Sequence, residues 1–288
     1  MKKIGFIGLG KMGGYICTNI INKGYPVVCY DISENNLSKF KKRATISLNS
    51  LDVFKNSDVI FLSLPSSKEV KEVTDKFLES KCKNKTIIDL STSYPFITQN
   101  IYKEFKAQHL EFSDASISGT PNQAKNGEIT LLFGGDKDTY DNNLNIMSSF
   151  SKKVHYMGSS GSGNIAKLIN NYLAVMYDVL YAEIFPFAEY LGMDTSYLFK
   201  VIGESGVDSR LYRTAGKQIV EKNFNLNFSL DLALKDLNYV KNMHEEMDVP
   251  SHVLDGAINL LTLGTTDGTN TKDITEIANT VEYFYKGG

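Results

Sequence analysis

The chain has 288 residues, of which 42% are hydrophobic and 22% are charged, and its formal net charge is −2. This composition is typical of a globular protein with one large or two ordinary domains. The small net charge argues against a nucleic-acid partner, and no run of lysines forms a basic stripe. No stretch of about 20 uncharged apolar residues occurs, so we expect no membrane partner either.

The first 30 residues predict an apolar strand, a glycine-rich turn and the start of a helix. Gly8, Gly10 and Gly13 have the G-x-G-x-x-G spacing. In a dinucleotide-binding turn these glycines allow a tight bend, a close approach of the backbone to phosphate, and close packing of helix on strand. The N-terminus of the helix then attracts the anion. The predicted cofactor-binding residues of this turn are Gly8, Leu9, Gly10, Lys11, Met12 and Gly13.

A second strand ends at Asp31, about 20 residues beyond the glycines. An acid at this place accepts hydrogen bonds from the ribose hydroxyls of NAD and repels the 2′-phosphate of NADP. The next residue is Ile32, which cannot pair with a phosphate. The sequence therefore predicts NAD as the preferred cofactor, and it does not exclude NADP.

Strands and helices alternate through the first half, a pattern that predicts a parallel sheet with helices on both faces. After Gly163 the apolar periodicity is helical almost to the end. We therefore predict an α/β fold in which a dinucleotide-binding domain, residues 1–160, is joined by a long helix, roughly Asn164 to Leu191, to an all-helical domain, residues 161–288. The predicted strands are Lys3–Gly8, Pro26–Asp31, Ala44–Ser47, Val59–Leu64, Thr86–Leu90, Leu110–Ser116, Ile129–Phe133 and Lys153–Met157.

Small and hydroxyl-bearing residues follow three of these strands. Ligands of open parallel sheets bind at the carboxyl ends of the strands, so these segments predict one rim of a site. Beside them, Ser118, Gly119 and Thr120 offer hydroxyls and successive backbone N–H groups that suit a small anion. The three segments are Leu64-Pro-Ser-Ser67, Asp89-Leu-Ser-Thr92 and Asp114-Ala-Ser-Ile-Ser-Gly-Thr120.

Lys167 and Asn171 stand at i and i+4 of the predicted long helix. A lysine on a mostly apolar helix is costly to bury unless it is paired or functional. Desolvation would lower its pKa and make it a proton donor near neutral pH. The alternative is a lysine whose charged end reaches solvent.

The chain resembles the β-hydroxyacid dehydrogenase family, which includes 3-hydroxyisobutyrate dehydrogenase and the short relatives of 6-phosphogluconate dehydrogenase. The resemblance runs from Ile4 to about Asp273 and rests on four motifs in family order. They are the N-terminal Gly-Phe-Ile-Gly-Leu-Gly-Lys-Met-Gly, the segment from Asp114 to Gly135, the segment from Gly161 to Asn171, and Lys235-Asp236-Leu237.

The resemblance implies hydride transfer between a nicotinamide and a small β-hydroxy acid, giving a semialdehyde or keto acid. It implies Lys167 as the catalytic acid/base and Asn171 as its partner. Ser118, Gly119 and Thr120 would hold the substrate carboxylate, and Lys235 would contact both cofactor and substrate. Leu64, Pro65 and Thr92 would line the cofactor. The helical domain would form a homodimer or homotetramer.

Two departures bear on the substrate. The family commonly has proline where Ser116 stands and a second glycine where Thr120 stands, which puts 3-hydroxyisobutyrate itself in doubt. The alternatives are reduction of glyoxylate, tartronate semialdehyde or succinic semialdehyde on the same scaffold, and a non-catalytic dinucleotide-binding protein.

Cellular location is predicted from the cysteines and from the N-terminus. Cys17, Cys29 and Cys82 lack C-x-x-C spacing, which favours a reducing, cytoplasmic setting. The apolar residues after Met1 are broken by glycines, so we expect no signal peptide.

No metal site is expected, because the four histidines lack metal-ligand spacing.

Overall fold

The computed structural model describes residues 1–80, 82–265 and 272–287. The chain forms two compact units, residues 1–167 and 168–288. Each has its own hydrophobic core.

The first unit is built on one eight-stranded sheet in the order β3-β2-β1-β4-β5-β6-β7-β8. β1, β4 and β5 are buried along their whole length, as expected for parallel strands covered on both faces. The strand order reverses beside β1, which creates the crevice where sheets of this kind bind ligands. The strands are β1 (Ile4–Ile7), β2 (Val27–Tyr30), β3 (Thr45–Ile46), β4 (Val59–Leu62), β5 (Thr86–Asp89), β6 (Glu111–Ser118), β7 (Ile129–Gly134) and β8 (Ser151–Gly158).

Two apolar clusters cover the two faces of this sheet. One includes Phe6 and Phe61, and the other includes Ile7 and Phe54, so neighbouring residues of β1 pack on opposite faces. Seven helices belong wholly to this unit: α1 (Lys11–Asn22), α2 (Glu34–Ser38), α3 (Ser50–Lys55), α4 (Ser67–Glu79), α5 (Pro95–Ala107), α6 (Pro121–Asn126) and α7 (Lys137–Met147).

Helix α8 (Ser162–Tyr190) begins in the first unit and ends in the second. The core of the second unit packs the inward face of α8, including Val175, Ala182 and Phe185, with residues of the later helices. Those later elements are α9 (Thr195–Gly203), a π-helical turn (Tyr212–Gly216), α10 (Lys217–Val220), α11 (Leu230–Glu246), α12 (Leu254–Thr265), a 3-10 turn (Ile274–Glu276) and α13 (Ile277–Tyr285).

The predicted fold class is confirmed: a mostly parallel α/β domain is followed by a helical domain. One detail differs, because β7 runs antiparallel to β6. Only the short helix α6 lies between these two strands, and a parallel pair needs a crossover of a dozen or more residues. Within residues 1–80, 82–265 and 272–287, the chain forms no helix that is long and apolar enough to cross a membrane.

Candidate active site

The turn after β1 has a shape that only glycine allows at two positions. Gly8 has φ = +94°, and a Cβ atom there would lie 2.1 Å from the carbonyl oxygen of Ser63. A Cβ atom on Gly13 would lie 2.0 Å from the carbonyl oxygen of Gly8. At Gly10, by contrast, a Cβ atom would meet no atom within 4 Å. The turn is therefore tightly packed at both ends and open in the middle.

The open position coincides with the start of α1. Gly10 is the N-cap and has no side chain to bond the N–H groups of the first turn, and that turn holds no acidic residue. An exposed helix N-terminus of this kind attracts phosphate through its N–H groups and its dipole. These residues therefore fit the pyrophosphate of a dinucleotide cofactor.

Asp31 fastens the turn from the end of β2. Its Oδ2 accepts the backbone N–H of Leu9 at 2.5 Å, and its Oδ1 accepts the backbone N–H of Ser33 at 2.7 Å. The side chain of Asn36 donates a longer bond to the same Oδ1. The carboxylate is 9% exposed, whereas the neighbouring Ile32 is 92% exposed. Asp31 thus supports the turn through both of its carboxylate oxygens.

The loops after β4 and β5 are bonded to each other. The backbone N–H of Leu64 donates to the hydroxyl of Ser91 at 2.9 Å. The buried Asp89 accepts the N–H of Ser91 and the hydroxyl of Ser93. Thr92 lies between these two bonded serines and is half-buried, and Pro65 is exposed. Because β1, β4, β5 and β6 are consecutive parallel neighbours, these loops and the loop of Ser118 leave the same edge of the sheet.

The segment after β6 forms a helix cap. Gly119 has φ = +148°, a conformation that favours glycine. The Thr120 hydroxyl accepts the N–H of Gln123, and Gln123 Oε1 accepts the N–H of Thr120 at 2.9 Å, which completes a capping box for α6. The Thr120 N–H is therefore already used in a hydrogen bond within the protein. Ser118 is half-buried and Gly119 is exposed.

The start of α8 is fixed by Asp114 on β6. The two carboxylate oxygens of Asp114 accept the backbone N–H groups of Gly161 at 2.7 Å and Asn164 at 2.8 Å. Burial raises the pKa of Asp114, and the hydrogen bonds from these two N–H groups lower it. The effect of burial is the larger, so the pKa is raised to about 7. Lys167 follows one turn later on α8 and is half-buried.

A second polar group lies within the helical unit. The side-chain N–H of Asn171 donates to Asp236 Oδ2 at 2.6 Å. The ammonium group of Lys235 lies 3.1 Å from the other carboxylate oxygen of Asp236 and 5.0 Å from the ring centroid of Tyr239. Asp236 is 3% exposed. A buried carboxylate thus orients the amide of Asn171 and holds the cation next to it in the chain.

The predicted residues gather in two sets: one lies in the first unit, and the other runs along α8 from Lys167, the last residue of the first unit, into the helical unit. The glycine turn, Asp31, Leu64, Pro65, Thr92 and the Ser118 segment follow neighbouring strands of the first unit. Lys167 and Asn171 stand one turn apart on α8, and Asn171 and Lys235 share Asp236. Sequence reasoning missed Asp236 as a site residue, although it lies in the quoted Lys-Asp-Leu motif, and it missed Asn164, whose partners are far away in the chain.

Comparison with known proteins agrees with this geometry. Residues 3–158 match the model of the NAD binding domain of 6-phosphogluconate dehydrogenase. The chain belongs to the β-hydroxyacid dehydrogenase family. Residues 161–281 of this dehydrogenase match the NAD-binding domain of NADP-dependent 3-hydroxyisobutyrate dehydrogenase. The predicted family and enzyme class are confirmed, and the presence of NAD(P)-binding domains confirms the class of cofactor but not the choice between NAD and NADP.

Several relatives resemble the dehydrogenase over much of its length. The 2-(hydroxymethyl)glutarate dehydrogenase of Eubacterium barkeri is 28% identical over 96% of this chain and 93% of its own. The mitochondrial 3-hydroxyisobutyrate dehydrogenase of Rattus norvegicus is 31% identical over 70% of this chain and 62% of its own. Among solved structures, the Mycobacterium tuberculosis 3-hydroxyisobutyrate dehydrogenase with L-serine has a TM-score of 0.90 and 22% identity, covering 98% of this chain and 99% of its own. That last likeness supports the fold.

Proposed function

We propose that this dehydrogenase interconverts a small β-hydroxy acid and the corresponding semialdehyde or keto acid, in the manner of 3-hydroxyisobutyrate dehydrogenase. The observation that carries the proposal is the placement of Lys167 and Asn171 on successive turns of α8, with the amide of Asn171 bonded to Asp236 at 2.6 Å. The relatives named above act on hydroxy acids by their names, and they do not favour the alternative reductases.

The protein's part in the reaction is proton transfer and orientation. Bound NAD(P) supplies the hydride acceptor for oxidation or the hydride donor for reduction. Lys167 takes the hydroxyl proton of the substrate during oxidation and returns a proton to the carbonyl oxygen during reduction. Asn171 orients the reacting oxygen, and Lys235 contributes positive charge for cofactor and substrate.

The substrate carboxylate is assigned to the segment after β6. The Ser118 hydroxyl and the Gly119 N–H are the donors that suit it. Thr120 joins them only when its N–H exchanges Gln123 Oε1 for the carboxylate, because the capping box otherwise uses that N–H. A compact acid that makes two contacts therefore suits the loop as it stands.

We assign NAD as the preferred cofactor. The carboxylate of Asp31 beside the turn accepts ribose hydroxyls and repels a 2′-phosphate. The exposed Ile32 offers no positive charge to offset that repulsion. Gly8, Leu9, Gly10, Lys11, Met12 and Gly13 then surround the pyrophosphate, and Leu64, Pro65 and Thr92 line the rest of the cofactor.

Self-association through the helical unit is part of the proposal. The outer face of α8 exposes a row of large apolar side chains at helical spacing, which is typical of a surface covered by another protein chain. We assign a second copy of this chain to that face, as a homodimer or as half of a homotetramer. The exposed residues of the row are Ile169, Leu173, Tyr177, Leu180, Ile184 and Phe187.

A cytoplasmic location is also part of the proposal. Cys17, Cys29 and Cys82 are free thiols, which suits the cytoplasm.

Replacement of Lys167 tests the proposed function. Initial rates are measured with NAD and 3-hydroxyisobutyrate, and with NADH and glyoxylate, tartronate semialdehyde or succinic semialdehyde. We expect Lys167→Ala and Lys167→Arg each to lower kcat by about 10²–10⁴-fold, the usual contribution of a positioned acid/base. Arginine keeps the charge but does not release its proton.

The matched control is Lys200→Ala, which removes an exposed lysine from α9. It should leave kcat unchanged, and the Kd for NADH should be unchanged in all three variants. Near-normal turnover of Lys167→Ala would contradict the assignment. NADH binding by the wild-type protein without turnover of any C2–C6 hydroxy acid would favour the non-catalytic alternative.

A further inference from the structure

A buried polar cluster lies beneath the first turn of α8. We call it the α8 anchor and define it by five residues of the first unit, which come from the loop after β5, from β6, from α5 and from the start of α8. All five are at most 4% exposed. They are Ser91, Thr98, Asp114, Ser116 and Asn164.

The side chain of Asn164 is the centre of the α8 anchor. Its Oδ1 accepts the hydroxyl of Thr98 at 2.8 Å. Its Nδ2 donates to the hydroxyl of Ser116 at 2.7 Å and makes a longer bond, 3.4 Å, to the carbonyl oxygen of Ser91. An amide that is buried and bonded at both ends has a single orientation, because any other rotamer would leave buried polar groups without partners.

These bonds are additional to those that cap the helix. The carboxylate of Asp114 already accepts the N–H groups of Gly161 and Asn164, so the N-terminus of α8 is satisfied without the Asn164 side chain. The side chain of Asn164 instead holds α8 to α5, to β6 and to the loop after β5 through its bonds to Thr98, Ser116 and Ser91. A role in helix capping therefore does not account for it.

The partners of Asn164 are next to the assigned site. Ser116 precedes Ser118 by two residues on β6, and Ser91 adjoins Thr92 in the loop after β5. The Ser91 hydroxyl also accepts the N–H of Leu64. Asn164 itself precedes Lys167 by one turn of the same helix. One side chain thus connects the helix of the assigned acid/base with the loops assigned to carboxylate and cofactor.

We propose that Asn164 is a positioning residue, which sets the place of Lys167 relative to the loops that carry Thr92 and Ser118. This inference rests on the proposed function. Ser116 contributes to the same arrangement, because its side-chain hydroxyl accepts an amide N–H of Asn164.

The test compares Asn164→Ala with two milder variants, Ser116→Ala and Thr98→Val, which each remove one partner of the amide. The matched control is Thr74→Val. Thr74 is a fully buried threonine of the same unit whose hydroxyl donates to the carbonyl groups of Val70 and Lys71 within α4. Measured quantities are kcat, KM, the pH profile of kcat, the Kd for NADH and Tm.

We expect Asn164→Ala to lower kcat by about 100-fold, the size of effect that a misplacement of about 1 Å produces. Ser116→Ala and Thr98→Val should lower kcat by about three- to tenfold, as expected from the loss of one hydrogen bond. The pH profile of kcat should shift in all three, while the Kd for NADH changes by less than about twofold. Thr74→Val should lower Tm and leave kcat and its pH profile unchanged.

A readout without turnover separates this inference from the proposed function. Trace acetylation with acetic anhydride at a series of pH values, followed by peptide mass spectrometry, reports the labelling midpoint of each lysine. Lys167 should change its midpoint in Asn164→Ala or, if that variant does not fold, in Ser116→Ala and Thr98→Val, whereas the exposed Lys125 should not. Unchanged labelling of Lys167 in the folded variants, with a wild-type pH profile, would overturn the inference. Absence of turnover in the wild-type enzyme would refute the proposed function, and the labelling would still decide the role of Asn164.

Discussion

The two units hold their functional groups in different ways. In the first unit the turn after β1 is shaped by the backbone, because Gly8 and Gly13 approach neighbouring carbonyl oxygens too closely for any side chain. In the helical unit the arrangement depends on side chains, since Asp236 accepts a hydrogen bond from Asn171 and forms an ion pair with Lys235. A backbone-defined site depends strictly on residue type at each position. A side-chain-defined site depends on partners that lie 65 positions apart.

The largest effect is expected from substitutions of glycines in the turn after β1. Gly13→Ala forces a Cβ atom to 2.0 Å from the carbonyl oxygen of Gly8, so we expect a lower Tm and no measurable NADH binding. Gly10→Ala meets no protein atom within 4 Å and should keep the wild-type Tm. It fills the space assigned to phosphate, and the loss of one charged hydrogen bond, about 1.5–3 kcal/mol, should raise the Kd for NADH by roughly 10- to 100-fold.

Thermal unfolding and fluorescence titration with NADH measure the two quantities on the same samples. The pair of variants serves as its own control, because the chemical change is identical. An equal loss of Tm in both variants would contradict the free space found at Gly10, because it would mean that a Cβ atom there also clashes with the protein.

The second prediction concerns Asp178, a carboxyl group in the core of the helical unit. It is 5% exposed, and its Oδ1 has no hydrogen-bond partner among the residues that the structure describes. Burial, together with the nearby carboxylate of Asp273, raises the pKa of Asp178 to about 8. The folded state therefore binds a proton that the unfolded state releases near pH 4.

The sign of the pH effect follows from this proton. Stability from Asp178 is fully present below about pH 4 and is lost as the pH rises to about 8, with a slope of up to about 1.4 kcal/mol per pH unit. Asp178→Asn should remove that slope and gain stability relative to the wild type at pH 8. Urea unfolding at pH 5, 6, 7 and 8 measures it, with the exposed Asp231→Asn as control. Parallel curves for wild type and Asp178→Asn would refute the assignment.

The side-chain-defined site is tested at Asp236. Asp236→Ala removes the acceptor of Asn171 and the ion pair of Lys235, and we expect KM for the hydroxy acid to rise about tenfold, the range of one charged hydrogen bond. Asp236→Asn keeps an acceptor for Asn171 and should raise KM less. Steady-state kinetics at saturating NAD gives both values. A wild-type KM in Asp236→Ala would mean that Asn171 keeps its orientation without this carboxylate.

The smallest expected effect concerns cofactor choice. Ile32→Arg places a cation beside Asp31 at a position that is 92% exposed. An exposed ion pair is worth up to about 1 kcal/mol, so the ratio of kcat/KM for NADP to that for NAD should rise about fivefold. Ile32→Glu should lower the same ratio. A clear preference of the wild-type enzyme for NADPH would refute the assignment to NAD.

The sequence predicts features that depend on local patterns better than features that depend on contacts between distant residues. The glycine spacing, Asp31 and the alternation of strands and helices are local patterns, and the fold and the shape of the turn follow from them. The antiparallel β7 was not predicted, because the direction of a strand depends on its connection rather than on its own residues. Asp236 and Asn164 act through partners that are distant in the chain, and no periodicity marks such pairs. The capping box was hidden for a different reason: Thr120 and Gln123 are close in sequence, but the same residues also fit an anion-binding loop.

On the proposed assignment of the substrate carboxylate to Ser118, Gly119 and Thr120, the ligand competes with Gln123 for the Thr120 N–H. An acid that uses this N–H would bind only molecules in which the cap of α6 is open, and its apparent Kd would be the intrinsic Kd divided by the open fraction. An acid that needs only the Ser118 hydroxyl and the Gly119 N–H would bind every molecule. The cap would therefore favour acids that make two contacts with this segment over acids that need three.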